Sequence, residues 1–370
     1  MMKDRHAVEP GQRVLSVDAL RGFDMFLIIG GYGIITGFIK ALDVGFLNAL
    51  LPQTRHVPWA GFHFWDLIMP LFLFIVGVAM PFSLGKRLQR GDTKKQLYFH
   101  IIKRAVLLFI LGMIAQGNLL EYDLSKLHIY CNTLQAIATG YLIASIIILN
   151  MNVVWQIATT VVMLLLFWAL MTFVPVPGSQ AGNLTPDGNL AIYLDRLILG
   201  RFEDGTSYTW IASSITFACT VMMGTMAGHL LRSQKPPTAK VIWLSAAGVG
   251  SIVAGWVWGI WFPIIKHLWT SSFVLFSGGI CLLLLAAFYL VIDVWGLRKW
   301  AFGFVVIGTN AIAVYMATSL FDFRRIGNIF VGGLDKWLGP WNDFVQATAA
   351  FAIVWLILYF LYRKKIFIKI

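Results

Sequence analysis

Residues 55–77 read RHVPWAGFHFWDLIMPLFLFIVG. Two histidines, an aspartate and two tryptophans run directly into an apolar segment of the length that crosses a hydrocarbon core, for which about 20 residues suffice. Titratable chemistry is therefore set at a membrane face. The rest of the chain repeats the apolar half of this pattern. Of the 370 residues 59% are hydrophobic and 12% charged, a balance that cannot cover a soluble surface.

Ten membrane-length segments can be placed, near Arg21–Phe38, Phe64–Leu84, Ile101–Gly117, Thr133–Leu149, Val153–Phe173, Trp210–Leu231, Val241–Phe262, Ser272–Val294, Phe302–Leu320 and Phe344–Tyr362. In hydrocarbon a segment must satisfy its own backbone, so these runs read as helices. The expectation is an all-α polytopic membrane protein with one transmembrane domain over residues 1–370. The first span lacks a small-residue cleavage site and reads as a retained helix.

Cytoplasmic loops carry an excess of lysine and arginine. Lys3, Arg5 and Arg13, then Lys86, Arg87, Arg90, Lys94 and Lys95, then Arg232, Lys235 and Lys240, then Arg298 and Lys299, then Arg363, Lys364, Lys365 and Lys369 fall on one side of a ten-span count. Both termini are expected in the cytoplasm, residues 1–13 as a tail. Residues 40–63, 118–132, 174–209, 266–270 and 322–343 are expected on the opposite side. The net charge of +12 then reports topology and lipid headgroups rather than nucleic acid. Cys131, Cys219 and Cys281 have neither CxxC nor metal-ligand spacing. Proline and glycine in residues 175–187 favour turns, and Leu190–Leu199 reads as a short amphipathic helix at the outer surface.

A charge within a span is costly unless it is paired or faces water. Asp18, Arg21 and Asp24 lie on one third of a helix circumference, so Arg21 can pair with either acid. They form a structural ion-pair cluster or offer a fixed cation to an anionic ligand. His56 has the titration range for proton transfer at neutral pH, and a lone loop histidine is more often an ordinary surface residue. Asp66, at the start of the second helix, can orient an imidazole or bond a sugar hydroxyl. Trp59 and Trp65 can stack on a sugar or belong to the aromatic belt. Asn310, mid-span, bridges helices or faces a pore. Lys266, Trp269 and Thr270 can line an acceptor site, or the lysine can snorkel. His63 and His229 carry no assigned role. Gly255 and Gly259 read as close helix packing.

Two stretches carry a family likeness. SVDALRGFDMF, residues 16–26, resembles the (L/V)DxxRG opening of transmembrane acyltransferases. Residues 56–77 resemble the HxxWxGxxxxDLxxPxFxFxxG element of the heparan-α-glucosaminide N-acetyltransferase family and its bacterial relatives. LQAIATGYL (134–142), MMGTMAGHLL (222–231), KHLWTSSFVLFSGG (266–279) and VVIGTNAIAVYM (305–316) resemble further family blocks in the same order. The likeness covers most of Val14 to Tyr362. It implies acetyl transfer from cytoplasmic acetyl-CoA, as co-substrate, to an extracytoplasmic amino sugar or glycan, with no metal. His56 falls on the family's catalytic histidine, as base or acetyl carrier, with Asp66 beside it. Arg21, Asp18 and Asn310 would serve the donor, and Trp59, Trp65, Lys266, Trp269 and Thr270 the acceptor.

The expected partners are membrane lipids, acetyl-CoA and the acceptor, with a homodimer left open, in a bacterial inner membrane. Two departures stand out. Where relatives place a histidine or asparagine fourteen residues after the aspartate, this chain has Tyr32, and a long lumenal N-terminal domain found in the family has no counterpart in the dozen residues before the motif. The competing class is a secondary transporter for amino sugars, its halves related by inverted topology. The sequence shows no second copy of the DALRG or HVPW elements to support it.

Overall fold

The computed structural model describes residues 14–368. Lys3, Arg5, Arg13 and Lys369 of the charge pattern lie outside the described residues. Among the described residues, hydropathy and length select nine continuous helices able to cross a membrane, and a tenth segment that is bent. The protein is an all-α polytopic integral membrane protein. Counting helices of seven or more residues, these are α1 Leu15–Leu42, α2 Phe64–Gln89, α3 Lys94–Gln116, α4 Thr133–Asn150, α5 Val153–Phe173, the short α6 Leu190–Leu199, α7 Ser214–Arg232, α8 Pro237–Trp258 and α9 Ser271–Val294. The chain closes with α10 Phe302–Gly308, α11 Ala311–Leu320, α12 Phe323–Val331 and α13 Asn342–Arg363. The expected boundaries lie within a few residues of these for most spans.

Local chemistry accounts for several helix ends. Thr93 caps α3 by accepting from the Gln96 N–H, and Asn132, Asn152 and Asn189 cap α4, α5 and α6 in the same way. Each satisfies one of the four N–H groups that a helix start leaves without a partner. Inside α1 the ladder widens into a π turn at Leu27–Gly31.

The ninth expected span departs from a straight helix. α10 and α11 meet at 74°. Gly308, Thr309 and Asn310 are weak helix formers, and Asn310 adopts a non-helical φ of −128° and ψ of 36°. Its side chain has another partner. Nδ2 donates to the Ile366 carbonyl at 3.1 Å and Oδ1 accepts from the Ile368 N–H at 2.8 Å. The tail that follows α13 thus occupies both hydrogen-bonding ends of an amide 1% exposed.

The chain forms two compact units. One contains Pro58–Phe62 and Met69–Leu290, the other Leu15–Val57, His63–Ile68 and the chain from Val291 onward. In the first, α8 lies closely along α9, and a Cβ at Gly255 would approach the Phe276 nitrogen to 2.5 Å. The Gly255–Gly259 pair therefore begins at a close backbone contact. A core of Phe167, Met171, Leu190, Ala191, Phe262, Ile265 and Leu268 anchors α6, whose Asp195 accepts the N–H groups of Trp210 at 2.7 Å and Ile211 at 2.9 Å. Burial pushes the Asp195 carboxyl up to about 7 against the pull of those two N–H groups, and the nearby Asp204 and Glu203 carboxylates add to the rise. Cys131, Cys219 and Cys281 are buried.

In the second unit α1 packs on α10 and α13, and α12 packs on α13. At Gly22 the Phe304 carbonyl lies where a Cβ would stand, and at Gly308 the Asp18 carbonyl does. Only glycine permits that approach, which presses α1 against α10 beside Asp18 and Arg21.

Candidate active site

His56 and Asp66 come together. Residues 51–54 form a 3-10 turn, the chain extends through Arg55, and a second 3-10 turn at Phe64–Leu67 opens α2. This returns Asp66 beneath His56, with Nδ1 of the imidazole 2.8 Å from Oδ1 of the carboxylate. Oδ2 accepts the His63 N–H at 3.0 Å and the Val57 N–H at 3.3 Å. The Asp66 side chain is 1% exposed and that of His56 46%. A buried carboxylate is held by surrounding donors and presents an accessible ring.

The electrostatic consequence follows from those partners. An ionised carboxylate only accepts, so it selects the imidazole tautomer with its proton on Nδ1 and leaves Nε2 as the basic nitrogen. The same carboxylate stabilises the imidazolium that forms when Nε2 takes a proton. Hydrogen bonds to charged groups contribute about 1.5–3 kcal/mol each, enough to offset a large part of the cost of burying Asp66. His63, left without a role by the sequence, builds this turn. Its N–H holds Asp66 and its Nδ1 lies 3.0 Å from the Arg55 carbonyl. A histidine three residues before an acid at a helix start was the available signal, since that spacing is the capping geometry.

In the same unit Trp65 meets Tyr32 edge to face, ring centroids 5.5 Å apart. Tyr32 is 47% exposed. Arg21 pairs with Asp18, Nη1 to Oδ1 at 3.2 Å. Asp24, the other candidate acid, is 0% exposed, and neither of its oxygens has a hydrogen-bond partner among the described residues. Asn310 is committed to the Ile366–Ile368 backbone as described above.

The remaining candidates lie in the first unit. Trp59 donates Nε1–H to the Leu184 carbonyl at 3.0 Å, and its ring lies 5.2 Å from that of His267. Tyr208 also meets His267, its ring 4.2 Å away and perpendicular. The strip is fastened by an antiparallel bridge between Ala60 and Ile265 and by the Gly61 N–H on the Ile264 carbonyl at 2.8 Å. His267 and Tyr208 were missed, because neither has spacing that distinguishes it. Trp269 is 1% exposed, packs on Phe217 and Phe273, and donates Nε1–H to Thr220 at 3.0 Å. Thr270 is fully buried, caps α9 through the Phe273 N–H and donates to the Pro263 carbonyl at 2.9 Å. Lys266 is 7% exposed. Trp269 and Thr270 thus have their polar atoms engaged within the unit.

The fold and this turn define a class: a polytopic helical membrane protein carrying a histidine oriented by a buried carboxylate. No protein-family model matches the chain. Among curated proteins it is similar to the heparan-alpha-glucosaminide N-acetyltransferase of Mus musculus, with 27% identity over 378 residues, 85% of this chain and 56% of that protein. It is similar also to the heparan-alpha-glucosaminide N-acetyltransferase of Homo sapiens, with 26% identity over 427 residues, 97% of this chain and 60% of that protein. Both proteins carry the name of the family that the DALRG and HVPW stretches resemble. It spans 56–60% of the length of the curated relatives it matches.

Proposed function

We propose that this protein is a transmembrane acetyltransferase. It moves the acetyl group of cytoplasmic acetyl-CoA to an amino sugar or glycan on the far side of a bacterial inner membrane, both termini being cytoplasmic. The observation that carries the proposal is the 2.8 Å contact between His56 Nδ1 and the buried Asp66 carboxylate. Similarity to named N-acetyltransferases over most of the chain supports the same class of reaction.

His56 acts in one of two ways. As a base, Nε2 takes the proton of the attacking amine while its nitrogen bonds the thioester carbonyl carbon, and the C–S bond then breaks to release CoA thiolate. As a carrier, Nε2 itself attacks that carbon and expels the thiolate; the amine nitrogen then bonds the acetyl carbon, the acetyl–Nε2 bond breaks, and the released imidazole takes the amine's proton. Asp66 stabilises the cationic imidazole in both. Arg21, with Asp18, is assigned to the donor, while Asn310, expected beside them, has its amide engaged by the tail. Trp59, Trp65 and Lys266 are assigned to the acceptor, with Trp269 and Thr270 holding the Lys266 turn.

The test is transfer of labelled acetyl from acetyl-CoA to glucosamine by purified protein in liposomes, wild type beside His56→Ala. Label on the sugar with wild type alone supports the proposal, and label held on wild-type protein without acceptor selects the carrier route. Sugar uptake that ignores acetyl-CoA, with no acetylated product, overturns it in favour of a transporter.

A further inference from the structure

A cavity of about 630 Å³ opens in the second unit where α11 ends and α12 begins. Its lining includes apolar side chains from membrane-spanning helices, Ile28 and Ile29 from the π turn of α1 and Ala350 of α13. It also includes Thr318, Asp322 and Arg324. Asp322 and Arg324 are two residues apart, oppositely charged, both exposed, and make no ion pair with each other. Asp322 Oδ1 accepts the Arg325 N–H at 3.1 Å and so caps α12. The Arg324 guanidinium has no hydrogen-bond or ion-pair partner among the described residues. Beyond this rim α12 exposes Ile329 at 77% and Phe330 at 75%, the apolar side of a helix that begins with two arginines. Such a helix lies at the level of lipid headgroups.

We propose that this cavity binds one phospholipid whose headgroup carries both a phosphate and a primary amine. Arg324 supplies a planar, permanently charged donor for the phosphate. Asp322 accepts the N–H groups of the ammonium a few bonds away, and Thr318 adds a hydroxyl. One acyl chain covers Ile28, Ile29 and Ala350. A soluble amino-sugar phosphate satisfies the charged rim but leaves those apolar side chains uncovered, and this selects the lipid. The proposal does not depend on acetyl transfer.

The test is native mass spectrometry of the full-length protein in detergent, titrated with phosphatidylethanolamine, phosphatidylcholine or phosphatidylglycerol. Wild type retains one phosphatidylethanolamine about tenfold more tightly than either of the others, since the trimethylated headgroup cannot donate to Asp322 and the glycerol headgroup has no cation. Arg324→Gln loses at least about tenfold for the amine lipid, and Arg324→Lys, which keeps the cation, recovers most of it. Asp322→Asn keeps the helix cap, because asparagine caps equally well, and abolishes the preference without abolishing binding. Equal retention of the three lipids by wild type overturns the proposal. So does retention by Arg324→Gln at wild-type strength, or displacement of the bound lipid by glucosamine 6-phosphate, which would make the cavity a sugar site.

Discussion

Asp66 and Asp24 are carboxylates of the same unit, 1% and 0% exposed, and they differ in everything but burial. Asp66 is encircled by the His56 imidazole and by the N–H groups of Val57 and His63. Asp24 has no hydrogen-bond partner on either oxygen among the described residues. A buried acid with three donors orients its neighbours. A buried acid without donors only costs stability, since an unsatisfied polar group loses about 1–3 kcal/mol to desolvation. Location inside a helix therefore marks a candidate, and partners decide whether it can act through another group.

The contrast fails first, and most visibly, at His56. His56→Ala lowers acetyl transfer by about 10²–10⁴, the usual worth of a positioned proton-transfer group, with the helical circular dichroism unchanged. Wild-type rates in this variant would remove the reason to treat Asp66 as an orienting group. Asp66→Asn removes the charge but keeps an acceptor, and lowers the rate by about 10–100-fold, the equivalent of one charged hydrogen bond. A loss confined to KM for the acceptor would instead make Asp66 a sugar contact.

Asp195 sharpens the comparison as an intermediate case, buried but with two N–H partners. Its folded-state titration lies near 7, above the unfolded value near 4, so the folded protein binds the extra proton between those limits. The stability it contributes is therefore full below about pH 4 and is lost as pH rises through 7. Thermal unfolding of wild type should show that decline, on the order of 2–4 kcal/mol across the window, and Asp195→Asn should remove the Asp195 component of the slope. The smallest effect is expected at Asp24. Asp24→Asn leaves transfer within about twofold, and Asp24→Leu raises the unfolding temperature in detergent, by the equivalent of about 1–3 kcal/mol. A large loss of activity in either variant would give Asp24 a role and erase the distinction.

Composition and hydropathy reached the membrane class and nearly every span, and Leu190–Leu199 was bounded to the residue. Those features depend on runs of apolar side chains, which a sequence states directly. The Asp18–Arg21 pair was legible for a similar reason, as helical spacing alone sets it. The choice of Asp18 over Asp24 was not, because it depends on how α1 is buried. Nor was the 74° bend, since Asn310 is held by backbone more than 50 residues away. The His56–Asp66 contact was anticipated by motif and chemistry, yet the part played by His63 rests on its backbone N–H, a group every residue but proline carries. Trp269 and Thr270 show the converse: their chemistry suggested ligand contacts, and the fold buries both.

The clasp between Asn310 and the tail also has a meaning in time. Ribosomes deliver the chain from its N-terminus, and Ile366 is made 56 residues after the amide it will meet. Throughout that interval the bent segment enters the bilayer with neither amide hydrogen bond to the tail formed. The joint between α10 and α11 is thus finished only after α13 has been made. A chain stopped just before Ile366 encodes every described helix and leaves that joint unsealed.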